Sequence, residues 1–161
     1  MTVIPAVSPD VFERTVAAYQ AKNPGHPLTA GQVEQARALA MSEQPVETIV
    51  SIPGTGRSTM LELLACAVRA SGGQVIGISP AQLSAHILAE SLDGAPVYTL
   101  SRWLTERQQA RGTGGSAAEF ALGPGDVVIV DCPEILTPSE REELLQDAVD
   151  RGALVRLTAG R

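Results

Sequence analysis

Along the chain, short β-branched runs alternate with longer stretches of apolar residues at helical spacing, and this alternation predicts most of the architecture. Val46-Glu47-Thr48-Ile49-Val50 reads as a buried strand, and Thr59 to Arg69 follows with the spacing of a helix. A second buried strand is predicted over Gln74–Ser79, after which Ser79-Pro80 caps a helix ending near Leu92-Asp93-Gly94. Val97–Leu100 is a short extended piece, Ser101–Arg111 a Ser-capped helix, and Gly112–Ser116 a flexible loop. Gly125–Asp131 is an apolar strand ending in a carboxylate. Thr137-Pro138-Ser139-Glu140 is a capping box that opens a helix to about Asp150, and Leu154–Thr158 is the last strand. At the front, Ser8-Pro9-Asp10 starts a helix through about Gln20, with Pro9 at the favoured first position. Asn23-Pro24-Gly25-His26-Pro27 breaks the chain before a further helix at Thr29. Strands and helices in this order imply a three-layer α/β domain, a mainly parallel sheet with helices on both faces.

Chemistry enters at the first strand–turn–helix. Ser51-Ile52-Pro53-Gly54-Thr55-Gly56-Arg57-Ser58 has the layout of a phosphate-binding loop, in which backbone N–H groups and a helix N-terminus point at phosphates. In such loops a Lys reaches the outer phosphate oxygens and a Ser or Thr hydroxyl holds Mg²⁺. Gly54, Gly56, Ser58 and Thr59 meet these requirements, but Ser51 stands where a Gly would take a positive φ without strain. Arg57 replaces the Lys and keeps the charge, on a planar fork that is longer and broader than an ammonium. These changes leave phosphate binding open and count against efficient hydrolysis.

The acidic strand carries a second altered motif. Val127-Val128-Ile129-Val130-Asp131 resembles a Walker B strand, whose Asp holds Mg²⁺. Cys132 follows where a Glu would orient the attacking water, and Glu134 lies three residues past the Asp. Leu28-Thr29-Ala30-Gly31-Gln32 reads as a helix start with Thr29 and Gln32 in a capping box, and it also resembles the Leu-Thr-x-x-Gln element of superfamily 1 helicases, which implies a contact of Gln32 with adenine.

Composition narrows the partners. Twelve Lys+Arg against eighteen Asp+Glu give a formal net charge of −6, so binding of nucleic acid by bulk phosphate neutralisation is excluded and any such contact is local. The local candidate is the Ser101–Arg111 helix, where Arg102, Trp103, Arg107 and Arg111 offer stacking and phosphate pairing to a single strand; the competing reading packs Trp103 inward. No apolar run approaches the length of a membrane span, and the N-terminus has neither a basic leader nor a signal core, so a cytoplasmic chain is expected. The two cysteines, Cys66 and Cys132, lack CxxC spacing, and His26 and His86 lack partners at metal spacing, so neither a disulfide framework nor a metal centre is implied.

Taken in order, Leu28-Thr29-x-x-Gln32, a strand, Gly54-Thr55-Gly56-Arg57-Ser58-Thr59-Met60-Leu61, a second strand, Thr99-Leu100-x-x-Trp103 and Val127–Asp131 resemble the first motor domain of RecD-like superfamily 1 helicases. The likeness is strongest to helicases fused to conjugative relaxases of the TraI type. It spans residues 28–161 and leaves 1–27 as an N-terminal helix and linker. Leu122–Asp131 with Glu134, the capped helix and the last strand are similar to the vestigial helicase module that sits between relaxase and active helicase in those proteins.

The resemblance implies a P-loop NTPase-like, RecA-like sheet and a non-enzymatic module. Its remnant nucleotide site would comprise Gln32, Gly54, Thr55, Gly56, Arg57, Ser58, Thr59 and Asp131, with Ser58 and Asp131 on Mg²⁺ when a nucleotide binds. No residue is assigned a catalytic role and no resident cofactor is implied, ATP–Mg being the one the site would take. Active relatives carry Gly-Asp-Pro-x-Gln on the strand after Walker B, whereas this strand ends Thr158-Ala159-Gly160-Arg161. Implied partners are single-stranded DNA, the type IV secretion coupling machinery and flanking domains of a longer polypeptide, with transfer to a recipient cell as part of the relaxase. An excised domain without a second motor domain is expected, although Met1 leaves a stand-alone chain open. A nucleotide-binding switch or weak ATPase and a plain inter-domain scaffold are the alternatives.

Overall fold

Five parallel strands form one sheet in the order β1-β5-β4-β2-β3. The computed structural model describes residues 7–25, 27–42, 44–51, 57–79, 88–90, 92, 96–103, 105, 125–131, 136–150 and 152–160. The strands are β1 (Val46–Ser51), β2 (Val75–Ser79), β3 (Val97–Thr99), β4 (Val127–Asp131) and β5 (Leu154–Gly160), and the helices are α1 (Pro9–Lys22), α2 (Ala30–Met41), α3 (Arg57–Ala70) and α4 (Pro138–Asp150). The all-parallel three-layer arrangement is the one the alternating pattern predicts.

Direction along the sheet explains where the helices lie. From β1 the chain crosses two strands to reach β2, whereas from β4 it steps back one place to β5, so the two crossovers run in opposite directions. Right-handed crossovers of opposite direction must cover opposite faces. Accordingly α3, with α1 and α2, covers one face and α4 the other. Both β2 and β4 are buried at every position, which is why they read as unbroken apolar runs. Alternate residues serve the two cores: Val75, Val127, Ile129 and Leu154 meet Phe12, Leu39 and Leu64, while Ile76, Val128, Val130 and Leu157 meet Leu144, Ala148 and Trp103.

Helix starts follow their capping residues. Ser8 Oγ accepts from Val11 N–H with Pro9 in the first turn, and Thr29/Gln32 and Thr137/Glu140 both form reciprocal capping boxes. Helix α3 begins at Arg57, two residues before the predicted Thr59. Leu100 was expected to extend β3 but instead opens a helical turn through Trp103, with Thr99 Oγ1 accepting from Arg102 N–H at 3.3 Å. Of the helix expected after Ser79-Pro80, Leu88–Glu90 are helical and residues 80–87 lie outside the described residues. Among the described residues no helix is long and apolar enough to cross a membrane.

One core position breaks the apolar rule. Arg156 sits in β5, between β1 and β4, and is fully buried. Its guanidinium donates to the carbonyls of Leu39 (2.6 Å), Gln44 (3.0 Å), Ser42 (3.2 Å) and Val155 (3.0 Å). Three of these carbonyls belong to the C-terminal turn of α2 and the chain just after it, where helix carbonyls lack intrahelical partners and a cation is favoured. Burial pulls the guanidinium well below its ordinary value, to about 10, opposed by the Glu47 carboxylate.

Candidate functional site

In open parallel sheets, ligands bind outside the carboxyl ends of the strands where successive connections leave toward opposite faces. Here that place lies between β1, whose chain leaves over the α3 face, and β4, whose chain leaves over the α4 face, with the carboxyl end of β5 between them. Its formation depends on the last strand inserting between the two motif-bearing strands, which sequence pattern alone did not specify.

Register builds a polar row across this edge. Ile49 pairs with Thr158, Thr158 with Asp131, and Ser79 with Thr99, while Ser79 follows directly on the Ile78–Val130 pair and so neighbours Asp131. Paired residues in a parallel ladder point to the same face, here the α3 face. Asp131 is 7% exposed, and its Oδ1 accepts from the buried Thr158 hydroxyl at 3.3 Å; that hydroxyl also lies 3.4 Å from Val130 O. Ser79 is fully buried, and among the described residues its Oγ has no hydrogen-bond partner.

The predicted phosphate loop meets this edge. Ser51 ends β1 in ladder register with Gly160, and α3 starts at Arg57, so the loop bridges the carboxyl end of β1 and the N-terminus of α3. Gly54, Thr55 and Gly56 lie outside the described residues, as do Cys132, Pro133 and Glu134; Arg57 and Ser58 are placed by their backbone in the first turn of α3, directly before Thr59. Gln32 is engaged in the α2 cap: its side-chain carbonyl accepts from Thr29 N–H at 2.9 Å and its own N–H donates to Thr29 Oγ1 at 3.1 Å.

Donor chemistry decides what the edge would hold. The side chains present are oxygen donors, a carboxylate flanked by hydroxyls, which suits a hard cation such as Mg²⁺. Among the described residues no group of three or more His, Cys, Asp or Glu could hold a metal. A single carboxylate matches a Mg²⁺ that arrives with nucleotide phosphates and keeps several waters. The residues therefore fit ATP–Mg as a ligand: Asp131 would face the hydrated cation, and the N-terminus of α3 would face the phosphates.

The candidate single-strand surface is arranged differently from an exposed stacking platform. Trp103 is fully buried in the second core with its ring centroid 6.5 Å from that of Tyr98, so no ring face is available to a base. Arg102 is exposed and lies over the Tyr98 ring at 5.3 Å, while Arg107 and Arg111 lie outside the described residues. This is the inward-packed reading of Trp103, with long-range apolar partners that include Ile78 and Leu144.

Sequence reasoning missed two members of the edge as site residues. Thr158 was read only as part of an altered motif and Ser79 only as a helix cap; their register beside Asp131 comes from strand order. Away from the edge, a groove of about 350 Å³ between α1 and α3 is lined by Arg14, Tyr19, Lys22 and Cys66 among others. Burial, then the Glu62 carboxylate that accepts from the phenol at 3.3 Å, pushes Tyr19 above its ordinary 10.0.

Comparison with known proteins follows this geometry. A family model described as an AAA domain matches residues 27–161. A solved structure of the pCW3 conjugation coupling protein TcpA, in its monomer form with ATPγS, is similar at a TM-score of 0.35 and 14% identity over 72% of this chain. This chain spans 42% of that protein's length. No curated protein matches the chain.

Proposed function

The chain belongs to the AAA domain family, and from that premise we propose that it is a vestigial motor domain which binds a nucleoside triphosphate with Mg²⁺ but does not hydrolyse it at motor rates. The observation that carries this reading is Asp131 at the carboxyl end of β4, aligned by the Thr158 hydroxyl, followed in sequence by Cys132 where the water-orienting Glu would stand. The cation shelf is kept and the group that would activate water is replaced by a thiol, which is a poor base for that task. Arg57 in the first turn of α3 supplies charge to the phosphates without the compact ammonium of a Lys.

In this reading the domain serves a longer conjugative relaxase of the TraI type, where it contacts single-stranded DNA and carries a signal for the type IV secretion coupling machinery. Support comes from the ordered motif series from Leu28 to Asp131 and from coordinated departures at Ser51, Arg57, Cys132 and the end of β5. Burial of Trp103 moves the DNA contact to the exposed Arg102 and to the arginines that follow it, a phosphate-pairing rather than a stacking mode.

Calorimetric titration of the protein with ATP, in Mg²⁺ and in chelator, tests the nucleotide part. Saturable binding that strengthens in Mg²⁺ is expected, with Asp131→Asn removing most of the Mg²⁺ effect, about tenfold or more in affinity. Absence of binding in both conditions would remove the nucleotide reading and leave the domain as a scaffold.

A further inference from the structure

Of the oxygens in the polar row, the Ser79 hydroxyl has no explained task. Thr158 Oγ1 is shared between Asp131 and Val130, and Thr99 Oγ1 caps the turn at Arg102. Ser79 Oγ lies fully buried between them and has no hydrogen-bond partner among the described residues. A buried hydroxyl left without a partner is destabilising, so an Ala at this position would serve the bare fold at least as well. Ser79 neighbours Asp131 across a parallel ladder, on the side away from Thr158. Adjacent strands lie about 4.8 Å apart, a separation that a rotated hydroxyl, or one bridging water, spans.

We propose that Ser79 is a positioning residue of the cation site: together with Thr158 it holds the Asp131 carboxylate from both sides, and its hydroxyl engages when the Mg²⁺–nucleotide arrives. This inference rests on the nucleotide-binding reading and adds to it a residue outside the two loop motifs. Thr158 donates to Oδ1 at 3.3 Å. Ser79 takes its partner only in the liganded state, when Asp131 turns toward the hydrated cation, so the unsatisfied hydroxyl is a store of binding free energy.

Comparison of the natural protein with Ser79→Ala tests this. Three quantities are measured on each: ATP affinity with Mg²⁺, ATP affinity in chelator, and the midpoint of urea unfolding without nucleotide. The expected result is about a tenfold loss of ATP–Mg affinity in Ser79→Ala, unchanged affinity in chelator, and an unfolding midpoint equal to or above that of the natural protein. A structural role for Ser79 would instead lower the midpoint and weaken binding equally with and without Mg²⁺. If the natural protein binds ATP–Mg and Ser79→Ala binds it identically, the positioning role is overturned and the nucleotide reading stands. If the natural protein shows no Mg²⁺-dependent binding, both fall together. Thr158→Val provides the second arm: loss of the Mg²⁺ effect there with none in Ser79→Ala would assign the alignment of Asp131 to Thr158 alone.

Discussion

Replacing Arg156 with Met should lower unfolding stability by about 3–5 kcal/mol, read as a fall in the urea midpoint at unchanged slope. Two opposed effects set this value. Burial acts against the charge, pulling the guanidinium down to about 10, a cost of about 3 kcal/mol. Against it stand four hydrogen bonds from a charged donor to backbone carbonyls, each about 1.5–3 kcal/mol. The bonds win. Met fills the stem's volume but leaves the carbonyls of Leu39, Ser42 and Gln44 without their donor, so the C-terminal turn of α2 loses its tie to β5. The pH dependence has a definite sign. Because the folded value lies below the unfolded one, the cost of the charge is fully present at every pH below about 10 and is relieved as pH rises from there toward the unfolded value. The difference between Arg156→Met and the natural protein should therefore be flat from pH 5 to pH 9. A deficit that shrinks as pH falls below about 5 would mean that a carboxylate, rather than the backbone, holds the guanidinium.

A second large loss is expected from one methyl group at the amino edge of the sheet. A Cβ added to Gly73 would lie 2.1 Å from Gly125 O and 3.0 Å from its carbonyl carbon. That oxygen belongs to the backbone and has no rotamer to move to. Relief requires the turns before β2 and β4 to separate, which breaks Val127 N–H to Gln74 O (3.0 Å) and the two bonds from Gln74 to the Asp126 carboxylate. Gly73→Ala should cost about 3 kcal/mol, the upper end for overpacking. Gly72 next to it has φ +89° with open space around its Cβ position, so Gly72→Ala should cost only the left-handed penalty of about 1–2 kcal/mol. Parallel urea titrations compare the two. A larger loss for Gly72→Ala would show that backbone conformation, not the approach of the two turns, governs this edge.

These positions mark the boundary of what the amino-acid pattern can carry. The β-branched runs at Val46–Val50 and Val127–Asp131 and the caps at Ser8, Thr29 and Thr137 act locally, over a turn of helix or a few alternating residues, and the elements they predict form. Strand order is not local. Nothing in Leu154–Thr158 by itself places β5 between β1 and β4, and that insertion brings Thr158 beside Asp131 and encloses Arg156. Gly73 likewise reads as one of two turn glycines until the approach of Gly125 distinguishes it from Gly72. Asp131 was legible because a carboxylate at the end of an apolar strand is conspicuous. Ser79 was not, because a Ser before a Pro reads first as a cap. Trp103 packs inward, as one of its two sequence readings has it, but the apolar side chains that bury it come from β2 and α4 and are not named by the local pattern.

Phosphate release from ATP–Mg by the natural protein, measured beside the Arg57→Lys, Cys132→Glu double variant, tests the separation of binding from hydrolysis most directly. The account predicts that the natural protein binds ATP–Mg yet releases phosphate far more slowly than the roughly 1–10³ s⁻¹ of working enzymes, with any gain confined to the double variant. Turnover within that range by the natural sequence would contradict it, because Cys132 and Arg57 would then support the chemistry they are held to have lost.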